Sequence, residues 1–431
     1  MPLPTGRLEA ENEFLRNGRK SKTSHTPPSQ DIGRSNQRSL REKSDKPSGG
    51  QKGHTGHTLE MKEVADEVID HIPTSCSCCG SAMSQTASIV TERRQEVVIP
   101  PILPQYLEHR IHSKCCDSCG TVTTGLFPAH VKAPVQYGSS VMALAAYLSI
   151  AQYMPYRRIC AMFKHLYDIH ISEGSIDNFL EQMSQKAMPF YESIQERIQQ
   201  SPVVGSDETG TPVAGKKGWF HTWQNKTLTF IVASMNRGYQ TITQYFTDGF
   251  KTTVYVSDCW AAQLKVSALC HQICLVHLLR DLCNFEDAVG CTWSTEMKGL
   301  LMQAMEFKKQ MTDEDYKSPP PDVGLMEARL DTLLAADNTQ AHKRVKAFIK
   351  RLIKNRKSIL TFLYYPDVPP HNNASEQAIR NIKVKGKVSG QFRSIRGAER
   401  FAILRSIIDT SAKNAQDIFN SLYLIADFVP E

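Results

Sequence analysis

A mixed α/β fold is predicted by three observations: alternating apolar residues of period two between residues 201 and 290, apolar residues at spacings of three and four on either side, and an ordinary globular composition. The chain has 431 residues, 41% hydrophobic and 22% charged, which excludes a wholly disordered or fibrous protein and is long enough for several domains. The most apolar stretch, Val141 to Met154, is interrupted by Ser149 and Gln152 and falls short of the roughly 18 to 20 residues of a membrane span. The amino terminus carries no apolar signal segment, so a cytoplasmic location is expected. A net charge of +7 allows a polyanionic partner, and twelve cysteines in so large a chain are read first as metal chemistry.

Residues 1–60 are rich in Ser, Lys, Arg, Gly and Pro and are expected to form a flexible basic arm, whose end, Lys46 to His54, has glycines that let amides approach a phosphate. Residues 61–130 hold two knuckles, Cys76-Ser-Cys-Cys79-Gly80 and Cys116-Asp-Ser-Cys119-Gly120, separated by a segment from Ile89 to His112 that alternates like strands. Such turns aim two thiolates each at one tetrahedral ion, so a zinc ribbon with Cys76, Cys79, Cys116 and Cys119 as ligands is expected, Cys78 and Cys115 being spare. Residues 131–200 have three apolar runs at helical spacing, the last begun by a capping Ser172, and read as a segment resembling a helix-turn-helix.

The strands come next. Pro202 to Asp207, Gly218 to Trp223 and Thr227 to Ala233 read as a meander with Lys226 in its second turn, followed by a helical stretch, a strand at Thr252 to Asp258, a helix from about Ala261 and a strand at Ile273 to His277. Asp207 and Asp258 would end strands at one sheet edge. Residues 292–360 read as a helical insertion broken at Pro319 to Pro321, and its last part keeps one apolar face ringed by cations that include Lys343, Arg344 and Lys350. A face that tracks phosphates fits that ring. Glu376 opens a further helix capped by Asn373 or Ser375. At about 100° per residue, Arg380 and, if the helix runs so far, Lys387 share its face. The core domain would span 201–395, with a helical segment at 396–431.

Three carboxylates with cations on one face suit phosphoryl transfer on a nucleic acid, where two Mg²⁺ or Mn²⁺ ions roughly 3.5 to 4 Å apart activate the attacking oxygen and stabilise the leaving one. Cys274 and His277 offer a second metal pair, though thiols are common core residues and a structural role is the simpler reading for Cys274 and for Cys259, Cys270, Cys283 and Cys291. Trp219, Trp223 and Trp260 read as core and strand aromatics.

On these residues the chain resembles a bacterial transposase of the insertion sequence 66 family. The matching segments, in order, are Lys46 to His54, Cys76 to Cys119, Gly205-Ser-Asp-Glu-Thr209, Val256-Ser-Asp258, Cys274-Leu-Val-His277-Leu-Leu-Arg280 and Asn372 to Arg380. The resemblance implies a ribonuclease-H-like core with a helical insertion and a DDE triad at Asp207, Asp258 and Glu376. It further implies metal-dependent cleavage of double-stranded DNA at element ends, transfer of the 3′-hydroxyl into target DNA, a homo-oligomer on DNA, and small accessory proteins encoded nearby. Departures are His371 before Asn372-Asn373, Cys259-Trp260 after the second aspartate, and an amino-terminal coiled coil reduced to Leu8 through Arg16. Rival readings are a non-catalytic DNA-binding remnant and a structure-selective nuclease on the same fold. If the ribbon reading holds, Cys79→Ser and Cys119→Ser each lose zinc, measured by elemental analysis of the purified protein.

Overall fold

The computed structural model describes residue 53 and residues 59–429. The basic arm, including most of Lys46 to His54 and all of Leu8 to Arg16, lies outside the described residues. Two compact units divide the rest, one ending at Ile102 and the other running from Leu103.

In the first unit the chain makes a tight knuckle, where Gly80 donates to the carbonyl of Cys76 at 2.9 Å and Ser75 bridges Ala82. Gly80 takes a φ of 75°, which explains the glycine after the cysteines. The expected strands over Ile89 to His112 do not form: the segment has no ladder and its apolar residues stay exposed. Pro100, Pro101 and Pro104 lack the N–H groups that a ladder needs.

The second unit opens with a short hairpin, β1 (Ser113–Cys115) and β2 (Val122–Thr124), around the second knuckle, where Gly120 has a φ of 71°. The helices α1 (Ser139–Ala146), α2 (Tyr156–Tyr167), α3 (Glu173–Lys186) and α4 (Met188–Gln199) follow. Ser172 caps α3 as expected, its hydroxyl accepting from the Ser175 amide at 3.0 Å. The predicted apolar run of α3 is buried at Ile176, Phe179, Leu180 and Met183.

A five-stranded sheet forms the centre, in the order β5-β4-β3-β6-β7. Strands β3 (Val203–Val213), β4 (Lys216–Gln224) and β5 (Thr229–Ser234) are the expected antiparallel meander. After α5 (Tyr239–Tyr245), β6 (Phe250–Ser257) pairs parallel to β3, and β7 (Ala268–Ile273) parallel to β6. Three expectations are corrected here. Only a single turn, Gln263–Lys265, stands where a helix was expected from Ala261. The last strand ends at Ile273, and the apolar residues beyond it begin α6 (Leu275–Val289), because one apolar run serves both the end of a strand and the buried face of a helix. Strand β3 continues past Asp207, since its pairing with β4 extends to Val213 after its pairing with β6 has stopped at Gly205.

Side chains alternate across the sheet, so Tyr255 enters one core while Val254 and Val256 enter another. The first core is completed by α1, α3, α4, α12 (Ile395–Lys413) and α13 (Ile418–Asp427). The second is built from α6 and the insertion helices α7 (Thr292–Gln310), α9 (Pro321–Ala335) and α10 (Lys343–Lys354), with the short α8 (Asp313–Lys317) between. The free edge of β5 is covered by α12, whose Ser406 and Thr410 hydroxyls accept from the amides of Ile231 and Thr229.

The remaining helix, α11 (Asn373–Ser389), packs on β3 and β4 and includes Lys387. Its start is tied to the sheet. Asn372 donates from Nδ2 to the carbonyl of Ser206 at 2.6 Å and accepts from the Ser375 hydroxyl at 2.6 Å, while Gln224 donates to the same hydroxyl at 3.3 Å. Gly205 makes room for this knot: a Cβ there would come within 2.6 Å of Gln224 Nε2, 2.7 Å of Ser375 Oγ and 2.8 Å of Asn372 Oδ1. Gly205→Ala is therefore expected to destabilise the protein by about 1–3 kcal/mol, measured as a lower midpoint in denaturant unfolding.

Candidate active site

Parallel register sets the two aspartates. Gly205 stands opposite Val256 as the last paired couple of β3 and β6, and Asp207 and Asp258 each lie two residues beyond it. Asp207 accepts at Oδ1 from the Glu208 amide at 2.8 Å, and Asp258 from the Trp260 amide at 3.1 Å. The α11 knot adds Glu376 in the first turn of its helix. All three carboxylates are partly buried.

Their charges interact. Burial, then the negative charges of Asp258, Glu208 and Glu376, raise the Asp207 carboxyl to about 8, the Glu208 amide opposing them in part. Burial and Glu208 also raise the Asp258 carboxyl, against His277, the Trp260 amide and Arg237. Glu376 Oε1 is buried and accepts no hydrogen bond, with His277 Nε2 at 3.8 Å and Arg280 Nη1 at 3.7 Å from it. Two aspartates pushed towards protonation by burial and neighbouring negative charge, beside an unsatisfied carboxylate oxygen, are a donor set that a hard divalent cation relieves.

Glu208, unmarked in the sequence reading except as part of a motif, faces away into the interior with 1% of its side chain exposed. Arg237 donates to its Oε1 from Nε at 3.0 Å and Nη2 at 2.8 Å, and Gln263 donates to Oε2 at 2.9 Å. The guanidinium lies 3.8 Å from the Trp260 ring centroid and 4.8 Å from that of Trp219. Trp223 in the core and Trp219 on β4 are the core and strand aromatics expected, whereas Trp260 lies outside a strand; Trp219 and Trp260 flank this arginine. Period-two alternation along β3 puts Glu208 on the face opposite Asp207, a signal the sequence offers, but nothing local points to Arg237 as its partner.

Among the described residues, ligand atoms of Cys274, His277 and Glu376 lie within 4.8 Å of one another. Cys274 is buried, accepts from the Asn372 amide at 3.2 Å, and is held neutral by burial, which favours its structural role. Arg380 and Lys387 are exposed on the same helix as Glu376. Lys350 is exposed on α10, but the acids missing from its window come from elsewhere: Arg351 pairs with Asp281 at 2.8 Å and Arg356 with Asp331 and Glu327.

The knuckle cysteines carry a signal that the sequence reading missed, a hydroxyl residue two places after the last cysteine. In the first unit the side chain and backbone of Ser81 draw the Cys79 thiol down to about 7. In the second, Thr121 lowers that of Cys119 in the same way.

The family model described as Transposase IS66 family matches residues 134–400, a span that holds the sheet, the insertion and all three carboxylates. The chain belongs to the IS66 transposase family. Membership supports a transposase role, DNA as partner and a divalent metal as the class of cofactor. The uncharacterized protein y4jD of Sinorhizobium fredii (strain NBRC 101917 / NGR234) is 20% identical over 421 residues, covering 86% of this chain and 80% of the relative. A second uncharacterized protein of that strain, y4hP, is 22% identical over 394 residues, covering 82% and 70%. Among the described residues no helix is long and apolar enough to cross a membrane.

The Asp207 carboxyl gives a pH signature. Its raised pKa makes its contribution to stability full below the unfolded value near 3.8 and lost as pH rises through about 8. Metal-free protein is therefore expected to show a Tm that falls across this window, a slope that Asp207→Asn flattens and Mg²⁺ reduces, read by calorimetry.

Proposed function

We propose that this IS66-family protein is a DDE-type transposase in which Asp207, Asp258 and Glu376 hold Mg²⁺ or Mn²⁺, cleave DNA at the ends of an element and transfer the freed 3′-hydroxyl into target DNA. The observation that carries the proposal is that Asp207 on β3 lies within electrostatic reach of Asp258, just past β6, and of Glu376 on α11, all within the matched family span. An antiparallel meander continued by two parallel strands supports a ribonuclease-H-like core.

The bound ions would lower the pKa of an attacking water or hydroxyl and neutralise charge on the leaving oxygen. Asp207 and Asp258 contribute fixed anionic oxygens from a rigid sheet, so little reorganisation is needed when substrate arrives. Glu376 completes the set from a helix that also carries Arg380 and Lys387, which would place the DNA backbone along the same face. Lys343, Arg344 and Lys350 on α10 extend the basic surface in this reading. The knuckles, with Cys76 and Cys79 in one and Cys116 and Cys119 in the other, offer thiolate pairs suited to structural Zn²⁺.

Asp258→Asn is expected to lower cleavage and joining at least about 10³-fold while leaving DNA affinity within about threefold, because one ligand is lost and the basic surfaces stay. A Mg²⁺-dependent assay on a plasmid with the gene's own flanking DNA, scored for cut and joined products, makes the comparison. Equal activity of variant and parent would falsify the triad assignment. Binding without cutting by the parent supports a DNA-binding remnant, and cutting of branched DNA without joining supports a nuclease.

A further inference from the structure

A cleft of about 720 Å³ opens between α2, the start of α3, the end of α11 and the start of α12. Its walls carry Arg157, Lys385 and Arg393. Arg400 also lines it but is already paired, reaching Asp177 at 2.7 Å and Glu181 at 3.4 Å. That leaves Glu173 as the single lining acid not engaged by Arg400, against three cations. Among the described residues neither Arg157 nor Arg393 has an ion-pair partner, and both are exposed at the mouth.

Lys385 is the unusual member. Half-buried, its ammonium lies 3.9 Å from the Phe392 ring centroid and donates to the Gly390 carbonyl at 3.0 Å, with no ion pair among the described residues. Burial, aided by the charge of Arg393, draws it down to about 8. Half-burying a cation without a counter-ion costs free energy that an arriving anion would partly recover. Three cations lining one concave wall, with a single unpaired acid against them, suit an anion that carries more than one negative charge and several acceptor oxygens, as a phosphate does.

We propose that this cleft is a second phosphate-binding site, formed by Arg157, Lys385 and Arg393, which grips the backbone of the DNA strand away from the three carboxylates. The DNA source rests on the proposed transposase function; the phosphate chemistry rests on the cleft alone. Lys385 is in α11, nine residues beyond Glu376 and, at about 100° per residue, roughly on the opposite face of the helix, so DNA held at both sites would wrap around α11. At about 1.5 Å per residue, their backbones stand roughly 14 Å apart along its axis.

Two measurements on the full chain test this. Anisotropy of a labelled duplex carrying the flanking DNA, titrated at several salt concentrations in EDTA, reads the number of phosphates neutralised. The Arg157→Ala/Arg393→Ala double variant is expected to lower the slope of log K against log salt by roughly two, since each contact contributes about 0.9. Lys309→Ala/Lys317→Ala, which removes two surface cations of α7 and α8, is expected to leave it unchanged. Thermal shift with inorganic pyrophosphate, also in EDTA, is expected to stabilise the parent and Lys309→Ala/Lys317→Ala but neither the arginine double variant nor Lys385→Met. An unchanged slope with intact DNA binding overturns the DNA grip and leaves the transposase reading standing. If the parent binds no DNA, the transposase reading fails, and a pyrophosphate response confined to proteins with Arg157, Lys385 and Arg393 then supports a phosphate site filled by a free phosphate compound. Absence of that response in the parent overturns the site itself.

Discussion

Asn372 donates its side-chain amide to the carbonyl of Ser206, one residue before Asp207, and so decides where Glu376 stands. The third carboxylate of the site depends on that seating. The sheet alone can bring Asp207 and Asp258 together, because two parallel neighbours in register end their pairing at the same level. The third acid arrives from more than a hundred residues away in sequence, after an insertion with its own core. Loop-closure entropy opposes such an arrangement. A buried knot of Asn372, Ser375, Gln224 and a glycine without a Cβ fixes the helix start against it.

Concentrating acid at one place conflicts with folding, and the surroundings manage the conflict unequally. Glu208 is fully sequestered but satisfied, with Arg237 on one oxygen and Gln263 on the other. Its charge still adds to the field that raises both aspartates. Glu376 has His277 and Arg280 nearby at ion-pair limits and no hydrogen bond to its buried oxygen. A site that satisfied all its carboxylates internally would have no use for a cation; this one leaves Glu376 Oε1 without a hydrogen bond.

Much of this arrangement was legible in the sequence because it depends on local pattern. Period two marked the meander and β6, and helical spacing marked α3 and α10, whose apolar faces are buried as expected. Asp207 and Asp258 were legible from their place on adjoining strands, Glu376 from its place at a helix start. The failures share a cause: pattern does not count partners. The run from Ile273 to His277 looked like one strand but divides between β7 and α6. The alternation before the second knuckle could not become a ladder with prolines in it and stays exposed. The acids that neutralise Arg351 and Arg356 lie on other helices, so the cationic window looked less compensated than it is. The Arg237–Glu208 pair and the Lys385 cleft are likewise products of tertiary packing.

The account turns on whether three carboxylates distant in sequence bind one set of ions. Iron-directed hydroxyl-radical cleavage tests this without any assumption about the DNA: Fe²⁺ replaces Mg²⁺, ascorbate and peroxide generate radicals at the bound ion, and mass spectrometry maps the cut peptide bonds. If the three acids share one set of ions, cuts cluster near residues 207, 258 and 376 and are suppressed together by excess Mg²⁺. Cuts confined to the neighbourhood of Cys274 and His277, or cuts near only one of the three acids, would contradict it.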